Sequence, residues 1–149
     1  GLVLSNTAAK FGQPGPGEER AALVRKQGMK AVADMTLEKW FGPKDRDSVA
    51  ATWARERLLQ CDPEGYAGCC EAIAGTDFYS PTSGLRLPTL GIAGDRDGST
   101  PPDLVRETVE LIPGAEFKLM RGSGHLPCLD APSDYAKLLY GFFRTIGHV

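Results

Sequence analysis

Residues 87–103 read Leu87-Pro88-Thr89-Leu90-Gly91-Ile92-Ala93-Gly94-Asp95-Arg96-Asp97-Gly98-Ser99-Thr100-Pro101-Pro102-Asp103, a strand, a loop and the start of a helix. The apolar run from Leu87 to Ala93 is short and ends at glycine, as a strand buried on both faces does. Thr100 to Asp103 combine a capping hydroxyl, proline and an acid in the first turn, the chemistry of a helix N-terminus. Leu104, Val105, Val109 and Ile112 then share one helical face, and Pro113-Gly114 ends it. Residues 115–120 read as a second strand, and Gly122-Ser123-Gly124-His125 as a tight loop after it. Pro132 opens a last helix with Tyr135, Leu138, Leu139, Phe142, Phe143 and Ile146 as a stripe of period 3.6. Strand–helix–strand–helix implies an α/β fold with a parallel sheet covered by helices.

Toward the N-terminus the pattern changes. Leu2-Val3-Leu4 reads as a strand entered abruptly, with turn-forming residues next. Gly12-Gln13-Pro14-Gly15-Pro16-Gly17 is a loop by composition. Helical patterns follow over 18–27, about 31–41, 47–60 and 63–75. The second has Ala31, Val32, Met35 and Leu37 leading into Trp40-Phe41. The third places Ala50, Ala54, Leu58 and Cys61 on one face. The fourth has Asp62 as its cap before Pro63, with Tyr66, Cys69, Cys70 and Ile73 as its expected buried stripe. Three strands are few for a parallel sheet covered on both faces, so further strands are expected outside this sequence.

The 149 residues are 42% hydrophobic and 24% charged, as in one ordinary globular domain. A net charge of -2 without a basic run argues against a nucleic-acid partner. No apolar stretch approaches the roughly 18 residues that cross a bilayer, so no membrane association is expected. Cys61, Cys69, Cys70 and Cys128 match neither zinc-site nor disulfide spacing. They are expected to be buried or half-buried reduced thiols in a cytoplasmic protein.

Ligands of open parallel sheets bind beyond the carboxyl ends of the strands. Two such ends here carry ionisable groups: Asp95 and Asp97 in one loop, His125 in the next. A carboxylate that accepts a bond from imidazole Nδ1–H fixes the tautomer and stabilises the imidazolium during proton transfer. Alone, the aspartates read as a solvated turn and the histidine as a surface or satisfied residue. At consecutive strand ends, in the order Asp then His, they read as an acid and a base. Asp95-Arg96-Asp97-Gly98 begins like a calcium loop but lacks the later acidic ligand, so no metal is assigned.

The strand followed by G-x-x-D and T-P-P, then G-x-G-H-L-P and a proline-started helix, resembles the α/β-hydrolase family. That family orders its triad nucleophile, acid, base. The resemblance implies Asp97 as the acid and His125 as the base. It covers the whole chain: residues 1–9 as the end of a core strand leading into a cap, 10–80 as a helical cap, and 81–149 as the C-terminal part of the core. A narrower likeness lies in Leu-Val-Leu-Ser-Asn-Thr-Ala-Ala-Lys at 2–10, Ala33-Asp34, Trp40-Phe41 and Gly65-Tyr66-Ala67-Gly68-Cys69-Cys70-Glu71-Ala72-Ile73. These look like the 3-oxoadipate enol-lactonases of aromatic catabolism, hydrolases of a small anionic lactone that use no cofactor.

The family's nucleophile motif, G-x-S-x-G, is absent. Ser5, Ser48, Ser80, Ser83, Ser99, Ser123 and Ser133 all lack that context. The resemblance therefore implies that a companion segment or chain, N-terminal in origin, supplies nucleophile and oxyanion hole, and that this chain alone is inactive. Trp40 and Leu126 are the candidate substrate-binding residues; Trp40 reads also as a plug between cap and body, and Leu126 as core packing. Lys39, Arg20 and Arg25 are candidate partners of a substrate carboxylate, readable also as exposed helical charges, and His148 as a solvated tail residue. Two other readings stand beside the lactonase: a carboxylesterase or perhydrolase for another small acyl group, and a non-catalytic binding subunit of the same fold.

Overall fold

The computed structural model describes residues 1–149. Strand β1 (Leu2–Ser5) leads into a helical segment of α1 (Gly15–Gln27), α2 (Lys30–Trp40), α3 (Val49–Leu59), α4 (Pro63–Ala74) and the short α5 (Tyr79–Ser83). Then come β2 (Thr89–Gly94), α6 (Pro102–Glu110), β3 (Glu116–Met120), the short α7 (Pro127–Asp130) and α8 (Pro132–Thr145). The strands form one parallel sheet in the order β1-β2-β3, with Leu2 opposite Thr89 and Leu90 opposite Glu116.

β2 is central and buried throughout, and its sequence shows why it fits there. Leu90 and Ile92 point to one face and pack with Met120 and Phe142, backed by Leu138, Leu139 and Ile146. Gly91 and Ala93 point to the other, where α6 brings Val105 and Val109 close. A Cβ on Gly91 would overlap Val109, so large residues on one face and small ones on the other set how near each helix lies.

The helical segment has its own core of Val24, Met29, Val32, Ala33, Leu37, Phe41, Ala51, Ala54 and Leu58. Capping follows the sequence in two places: Ser48 Oγ accepts from Ala51 N–H, and the Asp62 carboxylate accepts from Gly65 N–H. No helix is long and apolar enough to cross a membrane.

Four expectations are corrected. On α4 the buried residue is Ala67; Tyr66 and Cys70 are half-buried, and Cys69 and Ile73 are exposed. The small face of α4 lies on α1, where a Cβ at Gly17 would crowd Ala74, so the larger side chains turn outward. Cys61 leaves the face of α3 because the helix stops at Leu59. Cys61, Cys69 and Cys128 are exposed, against the expectation of buried thiols. Thr100 does not cap α6: Pro101 holds that position, and the Thr100 hydroxyl serves Asp97 instead.

Candidate active site

The ends of all three strands meet at one corner. β2 gives way at Gly94 to the loop carrying Asp97, and β3 to the loop carrying His125. Asp95 N–H donates to Met120 O at 3.0 Å and Arg96 N–H to Ser123 O at 2.9 Å, so the two loops are zipped together. Gly94 makes that possible, since a Cβ there would overlap the carbonyls of Ser123 and Gly124.

Asp97 is fully enclosed and accepts from five donors. Its Oδ1 takes Ser99 N–H at 2.7 Å and Thr100 N–H at 2.9 Å, a tight side-chain turn. Its Oδ2 takes the Thr100 hydroxyl at 2.8 Å, Asn6 Nδ2 at 2.9 Å and His125 Nδ1 at 2.8 Å. Burial pushes the carboxyl pKa up, but the bonds from His125, Asn6 and Thr100 N–H outweigh it and hold the group below its ordinary value. An ionised carboxylate only accepts, so the proton of a neutral imidazole sits on Nδ1. The Nε2 atom, which takes no bond within the chain, is left as a base.

Asn6 follows directly on β1 and completes the corner. Its φ of 51° lies in the left-handed region, which asparagine tolerates better than most residues. The Ser5 hydroxyl donates to Asn6 Oδ1 at 2.9 Å, leaving the amide N–H groups for Asp97 and, at 3.1 Å, Gly124 O. One side chain thus ties the Asp97 carboxylate to the loop that carries His125. The sequence reading passed over it as a turn residue; the available signal was its place at a strand end, in line with Asp97 and His125.

The helical segment holds both loops. The last carbonyls of a helix have no partner within it. Here Lys39 O accepts from Gly98 N–H at 2.9 Å and Trp40 O from His125 N–H at 2.7 Å. A Cβ on Gly124 would overlap Trp40 O, which explains the glycine before the histidine. The Trp40 ring stacks on the imidazole at 6.1 Å with 23° between planes, leaving His125 22% exposed. From the other side Asp130, on α7, accepts Gly124 N–H at 2.6 Å and the Ser123 hydroxyl at 3.1 Å. Its role was also not read from the sequence.

Beside the pair lie two adjoining cavities of about 620 and 250 Å³. Arg20, Lys39, Ile73 and Ser99 line both, Phe11, Leu23, Met35 and Leu104 the larger, and Trp40, Tyr66 and Cys70 the smaller. Trp40 therefore stands between His125 and the smaller cavity. Leu126 lines neither and rests half-buried against the helical core. Arg25 is on the surface, clasped by Glu64 and Glu71, which raise its already high pKa. Arg20 instead donates to the Tyr66 hydroxyl and to Thr36 Oγ1. His148 is exposed and meets Phe143 edge-on. No three His, Cys, Asp or Glu side chains are grouped to hold a metal ion, and Asp95 is taken up by Gly122 N–H.

The chain is 36% identical over 102 residues to 3-oxoadipate enol-lactonase 2 of Acinetobacter baylyi, covering 66% of this chain and 38% of that protein. It is 26% identical over 148 residues to 3-oxoadipate enol-lactonase 1 of the same organism, covering 97% and 55%. The crystal structure of the enol-lactonase from Burkholderia xenovorans LB400 superposes with a TM-score of 0.89 at 32% identity, over 95% of this chain and 55% of that one. No family model matches. The chain spans about half the length, or less, of the curated relatives it matches. The superposition shows its architecture to be that of the C-terminal part of an α/β-hydrolase, the class to which these neighbours belong.

Proposed function

Starting from an α/β-hydrolase fold of which this chain is the C-terminal part, we propose that it supplies the acid and base of a carboxylic ester hydrolase for small lactones, of the 3-oxoadipate enol-lactone type. The observation that carries this reading is the Asp97–His125 pair: 2.8 Å apart, the carboxylate buried and saturated, the far imidazole nitrogen free. The likeness to two enol-lactonases supports the choice of lactone.

In this reading a serine from a G-x-S-x-G segment outside this sequence gives its proton to His125 Nε2 and attacks the lactone carbonyl. Asp97 balances the imidazolium. As the tetrahedral adduct collapses, the ring C–O bond breaks and His125 returns the proton to the departing enol oxygen, or to the carbon that ketonises. Water, deprotonated by His125, then frees the serine. Proton transfer and electrostatics suffice, so the chemistry calls for no cofactor. Residues 10–80 act as the cap, with Trp40 over the base and Leu126 as packing behind it.

The test is hydrolysis of the enol-lactone against p-nitrophenyl acetate, with the G-x-S-x-G segment present as one polypeptide or as a companion chain. We expect the enol-lactone to be preferred and His125→Ala to abolish both activities. Preference for the simple ester would move the reading to a carboxylesterase or perhydrolase. Activity untouched by His125→Ala would overturn it in favour of a binding subunit.

A further inference from the structure

α1 carries two arginines five residues apart in opposite situations. Arg25 is neutralised by Glu64 and Glu71. Arg20 is half-buried, meets no carboxylate, and spends its Nε and Nη2 donors on neutral hydroxyls, those of Tyr66 from α4 and Thr36 from α2. Thr36 is buried, and its own hydroxyl donates to Val32 O at 2.6 Å. The Arg20 guanidinium also lies 5.6 Å from the Tyr66 ring centroid. Its orientation is thus set by two helices without its charge being cancelled. Removing a cation from water without an anionic partner is costly unless a ligand brings one.

The surroundings say what kind of ligand. Arg20 lines both cavities, among Leu23, Met35 and Ile73, two of which are large apolar side chains left exposed to solvent, Met35 at 43% and Ile73 at 46%. Lys39 adds a second cation without a carboxylate partner; Glu19 is the only acid lining either space. The smaller cavity runs from Arg20 to Trp40, the residue stacked on His125, and to Ser99, whose N–H is bonded to Asp97.

We propose that Arg20, oriented by Thr36 and Tyr66, is the specificity-determining anchor for a carboxylate at the end of the substrate remote from the reacting acyl group. This deepens the lactonase reading, on which the word substrate rests. The ligand class is a short aliphatic acid whose carboxylate meets Arg20 and whose acyl end lies past Trp40. Arginine suits the task because its planar donors match a carboxylate and its weak hydration lets it sit in a half-dry cavity.

Two arms test it. In the first, adipate and its uncharged dimethyl ester are titrated into the chain while Trp40 and Arg20 side-chain NMR signals are followed. We expect adipate alone to shift both, and Arg20→Met to weaken its binding about 10- to 100-fold, the range for a charge-assisted hydrogen-bonded contact. Arg20→Lys keeps the charge and guards against a folding defect; it should bind with intermediate affinity. Equal binding of diacid and diester, or of wild type and Arg20→Met, overturns the proposal. In the second arm, the assembled enzyme is assayed on a lactone with and without a carboxylate side chain. Arg20→Met should raise KM for the charged lactone about 10-fold or more and leave the neutral one within about threefold. A uniform loss on both would mark Arg20 as a brace between helices and overturn the anchor. Adipate binding without any hydrolysis would leave the anchor standing and refute the lactonase reading instead.

Discussion

Asp97, where three strands end, has five donors around one buried carboxylate. Arg20, in the helical segment, has two neutral hydroxyls and no anion. Both are charges away from bulk water, yet one is served completely by the chain and the other only in part. A fully bonded buried charge resists displacement, because any movement leaves a donor or acceptor unpaired. A charge that is oriented but not neutralised is available to something else. The corner therefore reads as machinery set before any ligand arrives, and the cavity as a surface shaped for one.

The largest effect is expected at Asp97. Asp97→Asn should lower kcat of the assembled enzyme by about four orders of magnitude, because the amide no longer holds the proton on Nδ1 or balances the imidazolium. Single-turnover kinetics check it; a loss under tenfold would mean that the corner is only structural. Next comes the packing that brings the loops together. Gly124→Ala forces a methyl group into Trp40 O, and we expect about 3 kcal/mol of destabilisation in urea unfolding, above the usual range for a surface change. An unchanged midpoint would show that the corner can relax.

A smaller effect is expected at Asn6. Asn6→Gly keeps the left-handed backbone and removes only the amide, at a cost of about 1–2 kcal/mol at neutral pH. The pH dependence has a defined sign. With its native pKa lowered, Asp97 contributes stability in full above the ordinary carboxylate pKa of about 3.9, and loses it as pH falls through the native value. Without the Asn6 bond the native pKa rises toward the unfolded one, so the loss still begins near the ordinary carboxylate value but is smaller and complete at a higher pH. Unfolding midpoints across the acid range read this directly, and identical acid limbs in the two proteins would contradict it. The smallest effect belongs to the cavity wall: Met35→Gln should change stability by no more than about 0.5 kcal/mol, since the side chain is 43% exposed. A larger loss would show the cavity to be part of the core.

Legibility followed the same division. β2, α6, β3 and α8 were readable because their patterns are local: an apolar run ending in glycine, a proline-opened helix, a stripe of period 3.6. Asp97 and His125 were readable as a pair because consecutive strands of a parallel sheet present their following loops at one edge. Asn6 and Asp130 were not, since nothing in a lone asparagine or aspartate says which distant N–H or carbonyl it will meet. Thr100 was misread as a helix cap for a related reason: its hydroxyl had a local candidate role, and a buried carboxylate three residues back claimed it. The stripe on α4 failed because spacing shows which side chains share a face but not whether that face turns inward; the close seat of Gly17 on Ala74 favours the small face.

By itself, then, the sequence determined the parallel α/β order, the placing of a carboxylate and an imidazole at successive strand ends, and the absence of a G-x-S-x-G motif from these residues. Only the tertiary structure decided that Asn6 joins them, that the last carbonyls of α2 hold both loops, and that Arg20 is left without an anion while Arg25 is not. Backbone pattern is written in neighbours along the chain, within reach of propensity and period. Partnership between side chains 91 or 118 residues apart, as for Asn6 with Asp97 and Gly124, arises only when packing brings them within hydrogen-bond distance.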